Sequence, residues 1–230
     1  RVLFRSPAVG AEALLQHVGS ALSEAKAAGR GSIRLFHPDM VSAMQQRLDL
    51  EQELRAALDR DQLHLVFQPI WDLERGTISG LETLVRWHHP VRGPISPGEF
   101  IPVAEHTGLI QPLGDWILHQ ALAQVEPWLA RGLTLPMGLA VNISPQQFSA
   151  PGFVDRVFRT LEERGFPGHQ LKLEITESLL MQNLTEAVDK IHRLRDLGVT
   201  FAVDDFGTGY SSLAYLDQLP LEALKIDRSF

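Results

Sequence analysis

Cysteine is absent from all 230 residues, so neither a disulfide framework nor a thiolate zinc site is available to this chain. The absence fits a reducing compartment, and a cytoplasmic location is the expectation, with a membrane anchor in a longer protein left open. An excess of positive charge is lacking as well. Lys and Arg number 21 against 28 Asp and Glu, for a formal charge of −7 and a pI near 5.7. No basic stripe invites duplex nucleic acid. A small phosphate ligand stays compatible with that balance, because a bound metal ion can supply positive charge the protein lacks. No apolar run reaches membrane-spanning length and the N-terminus shows no signal-peptide pattern. The chain reads as soluble, without a membrane segment.

What is present is an ordinary globular composition, 44% hydrophobic and 21% charged, long enough for one large domain with a sizeable core. Residues 1–37 read as a short strand, a helix closing at Gly29, and a second strand over 32–36. This piece is too small to bury a core alone. Residues 38–60 turn helical and charged. Met40, Met44 and Leu48 share one spacing, and Asp49-Leu50-Glu51-Gln52 reads as a capping restart, so the connecting helix is expected in one or two parts.

From Leu63 onward strands and helices alternate. Strands are expected at 63–70, 78–87, 138–144, 171–176, 200–203 and 223–226. The first two are joined so closely that they should pair antiparallel. Ser96-Pro97-Gly98-Glu99 signals a helix start. A long helix is expected over 114–130, kinked or ended by Pro127. Further helices are expected over 152–164 and 184–197, the latter with Val188, Ile191, Leu194 and Leu197 along one face and a stop at Gly198. A βα period of this kind marks an α/β barrel or a doubly wound sheet.

The ends of the expected strands carry an unusual share of oxygen-bearing side chains. The second offers Glu82 and Arg86, the third Asn142, the fourth Glu174 and Glu177, the fifth Asp204 and Asp205, the sixth Lys225 and Asp227. Each alone has an ordinary reading. Glu82 could be a surface strand residue, Asn142 a loop amide, Glu174 and Glu177 first-turn acids of the next helix, Lys225 a solvated strand end. Asp204 and Asp205 could sit in a solvated turn. Together, at one end of a parallel barrel, they form a candidate active site. Carboxylates with one amide, and no His or Cys, suit a hard cation such as Mg²⁺ or Mn²⁺. Adjacent aspartates can bridge two such ions, a pairing suited to phosphate-ester hydrolysis. His88-His89 beside Pro90 reads as an exposed loop and not as a ligand pair. Asp205-Phe206-Gly207 matches the kinase magnesium tripeptide, but no glycine-rich phosphate loop or His-Arg-Asp segment accompanies it.

Five segments carry a resemblance. Glu82-Thr83-Leu84-Val85-Arg86-Trp87, Val141-Asn142-Ile143-Ser144, Glu174-Ile175-Thr176-Glu177, Asp204-Asp205-Phe206-Gly207-Thr208-Gly209 and Lys225-Ile226-Asp227-Arg228-Ser229-Phe230 together resemble the EAL-domain cyclic-di-GMP phosphodiesterases. They do so in order, from about Leu50 to the end. The resemblance implies a TIM-like (β/α)8 barrel with an antiparallel first strand, with truncation after the sixth strand the expectation for this sequence. Two further strands, carrying a catalytic glutamate and a substrate-binding glutamine, would lie beyond this sequence. It implies Glu82, Asn142, Glu174, Asp204 and Asp205 as metal ligands for Mg²⁺ or Mn²⁺ in a two-metal site, with Ca²⁺ inhibitory. Lys225 would hold or activate the attacking water, and Glu177 would steady the loop after Asp205, which would also contribute to a homodimer interface. Gln68, Leu84, Arg86 and Asp227 would contact the dinucleotide. The name-giving Glu-Ala-Leu is Glu82-Thr83-Leu84 here.

Residues 11–36 similarly look like the tail of a GGDEF diguanylate cyclase domain without its signature loop. The division expected is therefore 1–37 GGDEF remnant, 38–60 connecting helix and 61–230 EAL-like barrel, with a GGDEF or sensory domain as upstream partner. Hydrolysis of cyclic di-GMP to linear pGpG is the leading expectation. A catalytically silent receptor for the dinucleotide, an inactive fragment and a dimerising scaffold are the alternatives. The complete set of expected ligands favours the enzyme; the absent last strands favour a receptor or inactivity.

Overall fold

A computed structural model of the chain describes residues 10–27, 31–207, 219–227 and 229. The chain divides into two compact units, residues 1–56 and 57–230. In the first, helix α1 (Ala11–Ala27) is followed by an irregular stretch and helix α2 (Asp39–Asp59), which runs across the unit boundary. The expected strand at 32–36 does not form; those residues have no regular structure. A strand needs a ladder partner to persist. Phe36 instead stacks its ring on His17, 3.8 Å between centroids. The strand expected before α1 falls outside the described residues. Helix α2 is one continuous helix, not two. Asp49 does not restart it: its Oδ1 accepts from Gln45 Nε2 at 2.8 Å, an i,i+4 bond that supports the helix it was expected to interrupt.

The second unit is an α/β layer structure on a seven-stranded sheet. Strands β1 (Leu63–Asp72), β2 (Thr77–His89), β3 (Gly93–Ile95), β4 (Gly138–Ile143), β5 (Leu171–Thr176), β6 (Thr200–Phe206) and β7 (Ala223–Ile226) alternate with helices α3 (Pro97–Thr107), α4 (Ile110–Ala130), α5 (Pro145–Ser149), α6 (Phe153–Arg164), α7 (Glu177–Gln182) and α8 (Leu184–Arg195). The path is β1-β2-β4-β5-β6-β7, with the short β3 pairing β2 off it. β1 runs antiparallel to β2, and the pairs β2–β4, β4–β5, β5–β6 and β6–β7 are parallel. This is the TIM-like winding with an antiparallel first strand.

The helices form where the 3.6-residue apolar stripe meets a cap. Helix α6 begins after Gly152 at φ 73 and ends at Gly165 at φ 60, left-handed positions that glycine takes without a Cβ clash. Helix α8 is capped by Asn183, whose side chain accepts from the Glu186 amide at 3.3 Å. At α3, Ser96 has the extended backbone of an N-cap but its side chain makes no capping bond. Pro127 does not end α4, which continues to Ala130. It stands in the last turn, where only a few residues remain to lose helical bonds.

The core lies between sheet and helices. Leu139, Val141, Leu171, Leu173, Ile175, Phe201 and Val203 from the central strands are buried with Leu122, Val125, Ile191 and Leu194 from the helices. Each such side chain contributes roughly 1.5–3 kcal/mol of burial. Trp87 of β2 meets Phe100 of α3 edge-on at 5.5 Å, and Phe67 of β1 meets Trp128 of α4 edge-on at 5.1 Å. Two polar devices shape the turn after β4. Ser144 and Gln147 form a reciprocal capping box at the start of α5, and a Cβ on Gly114 of α4 would collide with the Gln147 amide.

Candidate active site

Along each central strand, alternate side chains face away from the helices. Register makes these rows continuous: Glu82 stands beside Ala140, Asn142 beside Glu174, and Thr176 beside Asp204. The stagger between neighbouring strands brings groups of different row together at the C-terminal ends, the end where parallel α/β sheets hold their ligands.

Lys225 of β7 is the centre of the cluster. Its Nζ lies 2.6 Å from Glu174 Oε2, 3.3 Å from Glu82 Oε2 and 3.4 Å from Asp204 Oδ2. Asn142 Nδ2 donates to Glu82 Oε1 at 3.1 Å. Three strands thus aim a carboxylate each at one ammonium, and a fourth adds an amide bonded to Glu82. Glu174 is the most enclosed, 2% exposed. Burial pushes its carboxyl above the usual range, even though the hydrogen bond and charge of Lys225 pull the other way. At Lys225 burial works against the charged form, but the hydrogen bond to Glu174 and the fields of Glu174, Asp204 and Glu82 outweigh it and raise the pKa. The lysine is therefore a cation throughout the neutral range.

Asp205 stands apart from the ring. The ladder between β6 and β7 is irregular between Val203 and Phe206, and Asp205 takes a left-handed backbone, φ 53. Irregularities of this kind re-aim a side chain beside active sites. Its amide donates to Asp204 Oδ1 at 3.0 Å. Burial, then the neighbouring Asp204 and Asp227, raise its pKa against the pull of Lys225. Two residues on, the Gly207 amide donates to Glu177 Oε2 at 3.1 Å. Glu177 is the first residue of α7 and is 2% exposed. The segment 208–218, where the dimer contact was expected, lies outside the described residues. Asp227 follows β7, and its Oδ1 accepts from the Ser229 amide at 2.8 Å.

The remaining expected residues lie on the β1–β2 hairpin. Gln68 is paired with Glu82, and Leu84 and Arg86 follow on the same face as Glu82. Arg86 donates from Nη1 to the carbonyl of Val85 at 2.9 Å. His88 is exposed, and His89 Nδ1 accepts from the Val91 and Arg92 amides at 3.2 and 3.1 Å. The structure therefore joins Glu82, Asn142, Glu174, Asp204 and Lys225 directly, and sets Gln68, Leu84, Arg86, Glu177, Asp205 and Asp227 around them. Sequence reasoning missed the short helices α5 and α7, which follow β4 and β5. The Ser144-Pro145-Gln146-Gln147 capping pattern was a signal for the first.

The donor chemistry fits a hard divalent cation: three carboxylates and an amide oxygen, all from rigid strand ends. With the three acids ionised, one ammonium leaves two negative charges uncompensated in the ring, the charge of one divalent ion. Among the described residues no three acidic or His side chains form a metal-sized cluster; Lys225 Nζ lies within 3.4 Å of Glu82, Glu174 and Asp204.

A family model for the EAL domain matches residues 51–230. The chain belongs to the EAL domain family. It is 44% identical over 219 residues to the cyclic di-GMP phosphodiesterase NbdA of Pseudomonas aeruginosa, an overlap of 95% of this chain and 28% of NbdA. It is 42% identical over 217 residues to the bifunctional diguanylate cyclase/cyclic di-GMP phosphodiesterase MucR of the same organism, covering 94% of this chain and 32% of MucR. The chain thus spans about a third or less of these relatives. Among solved structures, the PaMucR phosphodiesterase in complex with c-di-GMP superposes with a TM-score of 0.75 at 44% identity, over 79% of this chain and 73% of that one.

Proposed function

We propose that this EAL domain hydrolyses cyclic di-GMP to linear pGpG with the help of Mg²⁺ or Mn²⁺. The observation that carries the reading is the ring of Glu82, Glu174 and Asp204 around Lys225, with Asn142 bonded to Glu82, at the C-terminal ends of parallel strands. Its resemblance to the site expected of cyclic-di-GMP phosphodiesterases and the likeness to NbdA and MucR support it. Glu82, Asn142, Glu174 and Asp204, with Asp205 next to them, would hold one or two divalent ions, which supply positive charge to the phosphate and to the attacking water. Lys225 is held protonated by the acids around it, so it cannot take a proton from water. It acts as a donor that orients the nucleophile and meets charge developing on the phosphate. Arg86, planar and always charged, pairs with phosphate oxygens or a purine edge. Glu177, through Gly207, holds the chain that leaves Asp205. Gln68, Leu84 and Asp227 complete the contacts to the dinucleotide.

The same reading includes pairing of two chains through the segment after Asp205, a GGDEF or sensory domain upstream with residues 11–36 as its tail, and a cytoplasmic setting. No described helix is long and apolar enough to cross a membrane. The test is to follow c-di-GMP and pGpG by chromatography with Mn²⁺, Mg²⁺ or Ca²⁺ in turn, alongside calorimetry of each ion. Binding of all three ions is expected, with pGpG formed only with the first two. A folded protein that binds no divalent ion sinks the site assignment. One that binds the dinucleotide but forms no pGpG over hours is a receptor.

A further inference from the structure

Side chains directly opposed on antiparallel strands share a face, with Cβ atoms about 5 Å apart. In the β1–β2 hairpin the opposed pairs are Gln68–Glu82, Val66–Leu84 and His64–Arg86. The odd-numbered neighbours Leu63, Leu65, Leu81, Thr83 and Trp87 are buried on the other side. The even-numbered residues therefore form one open face that begins at the ring of acids and continues outward along the hairpin. His64, Val66 and Gln68 are exposed on it, and Leu84 and Arg86 are half-buried. Val66 leaves 37% of its surface uncovered beside Leu84. The His64 side chain has no hydrogen-bond or ion-pair partner among the described residues.

We infer that Val66 and His64 belong to the ligand site, where they read the purine of the cyclic dinucleotide. The inference rests on the phosphodiesterase reading above, because it takes the phosphate to lie at the ring. Leu84 is one two-residue step from Glu82, about 7 Å along the strand, a distance suited to the base of the nucleotide whose phosphate is held there. The Val66–Leu84 pair offers an apolar floor to the face of that base. One step further, Arg86 and His64 place N–H donors side by side; a neutral imidazole supplies one. Guanine presents two acceptors, N7 and O6, along one edge, whereas adenine puts an amino donor beside its N7. Two adjacent donors on an apolar floor favour guanine. His64 and Val66 thus contribute specificity, while the ring carries the chemistry.

The test is equilibrium titration of the 230-residue chain with c-di-GMP and with c-di-AMP, Ca²⁺ serving as the divalent ion so that ligand is not consumed. Wild type should prefer c-di-GMP. His64→Ala should weaken c-di-GMP by roughly five- to tenfold, the order of one neutral hydrogen bond, and narrow its advantage over c-di-AMP. His64→Gln, which keeps an N–H donor, should restore most of that advantage. Val66→Asp should weaken both dinucleotides alike by spoiling the floor. Thermal melting should be unchanged in all three, since both positions are exposed. A merely structural role would not alter the ratio between two ligands. If the variants bind both dinucleotides as wild type does, the inference is overturned and the phosphodiesterase reading stands. If wild type binds neither, both fall together.

Discussion

Lys225 and Lys172 stand on the same face of the sheet, on β7 and β5, and meet opposite surroundings. The Lys225 side chain is 32% exposed and has three carboxylates within 3.4 Å. Lys172 is 2% exposed and, among the described residues, pairs with Glu222 at 3.1 Å. The lower pair is balanced in charge; the upper ring is two charges short of balance. A balanced pair with one ion buried and the other reaching solvent is a matter of stability, its attraction roughly offsetting the desolvation of the buried ammonium. A ring that cannot balance itself is costly to keep, and on the proposed function a divalent cation would complete it. Substitutions at the two lysines and their partners should therefore have effects of different kind.

The largest effects are expected in the upper ring. Glu82→Ala or Asp204→Ala should abolish c-di-GMP hydrolysis while circular dichroism and melting stay close to wild type. A variant retaining near wild-type turnover at saturating Mn²⁺ would show that the wrong carboxylates were chosen. Glu174→Gln should separate activity from stability. Burial raises the Glu174 pKa in the folded state, so the folded protein is favoured when that carboxyl is protonated. The contribution is fully present below the ordinary carboxyl pKa and is lost as pH rises through the raised value. Glu174→Gln should therefore melt higher than wild type at neutral pH without added metal, and the gain should disappear in acid. A gain that grows in acid would reverse the assigned direction.

Lys225→Ala comes next. If Lys225 orients the nucleophile as proposed, the substitution should lower kcat by ~10²-fold or more and leave the Kd for c-di-GMP within a few fold. Arg86→Ala should do the reverse and weaken binding first, because a guanidinium on the ligand acts in ground and transition states alike. Rates and titrations on the same preparations decide. If the two variants show the same split, the division of labour between ring and hairpin is wrong.

The lower pair should respond only in stability. Glu222→Gln leaves the Lys172 ammonium buried without a counter-ion and should cost about 1–3 kcal/mol, less than for a wholly enclosed pair because Glu222 reaches solvent. Lys172→Met, which keeps the volume and removes the charge, should be near neutral. Lys172 Nζ lacks hydrogen-bond geometry to any partner, Glu222 included, so little is lost with it. Chemical denaturation measures both. A large loss for Lys172→Met would mean that the pair holds the strands together.

This contrast was only half legible in the sequence. Strands β5 and β7 fall where apolar runs and their flanking turns place them, and the ring acids stand at strand ends because the chemistry-bearing residues interrupt those runs. What spacing along the chain could not give was the stagger between strands, which sets Lys225 among Glu82, Glu174 and Asp204 instead of at a solvated end. Glu222 was invisible for the same reason: it lies just before β7 and meets Lys172 only through the fold. The three-residue β3 and the short α5 and α7 have too few residues for a period to show. Residues 32–36 carried strand character that failed for want of a partner, and Asp49 carried a cap signal that its bond to Gln45 overrode.

The smallest effect concerns Thr83, the residue in the alanine position of the Glu-Ala-Leu signature. It adjoins Glu82 in sequence but points to the opposite, helix-covered face, between Phe67 of β1 and Val141 of β4. It is 4% exposed, and its Oγ1 is buried without a hydrogen-bond partner. A hydroxyl so placed costs stability and cannot reach the ring. Thr83→Val keeps the shape and removes the unpaired group, so it should raise stability by up to about 1 kcal/mol. Thr83→Ala should come out closer to wild type, since the lost methyl group offsets the relief. Neither should change kcat or KM for c-di-GMP. A rate change in Thr83→Val without a change in melting would mean that the departure from alanine is felt by Glu82, and that the two faces of β2 are less independent than strand alternation makes them.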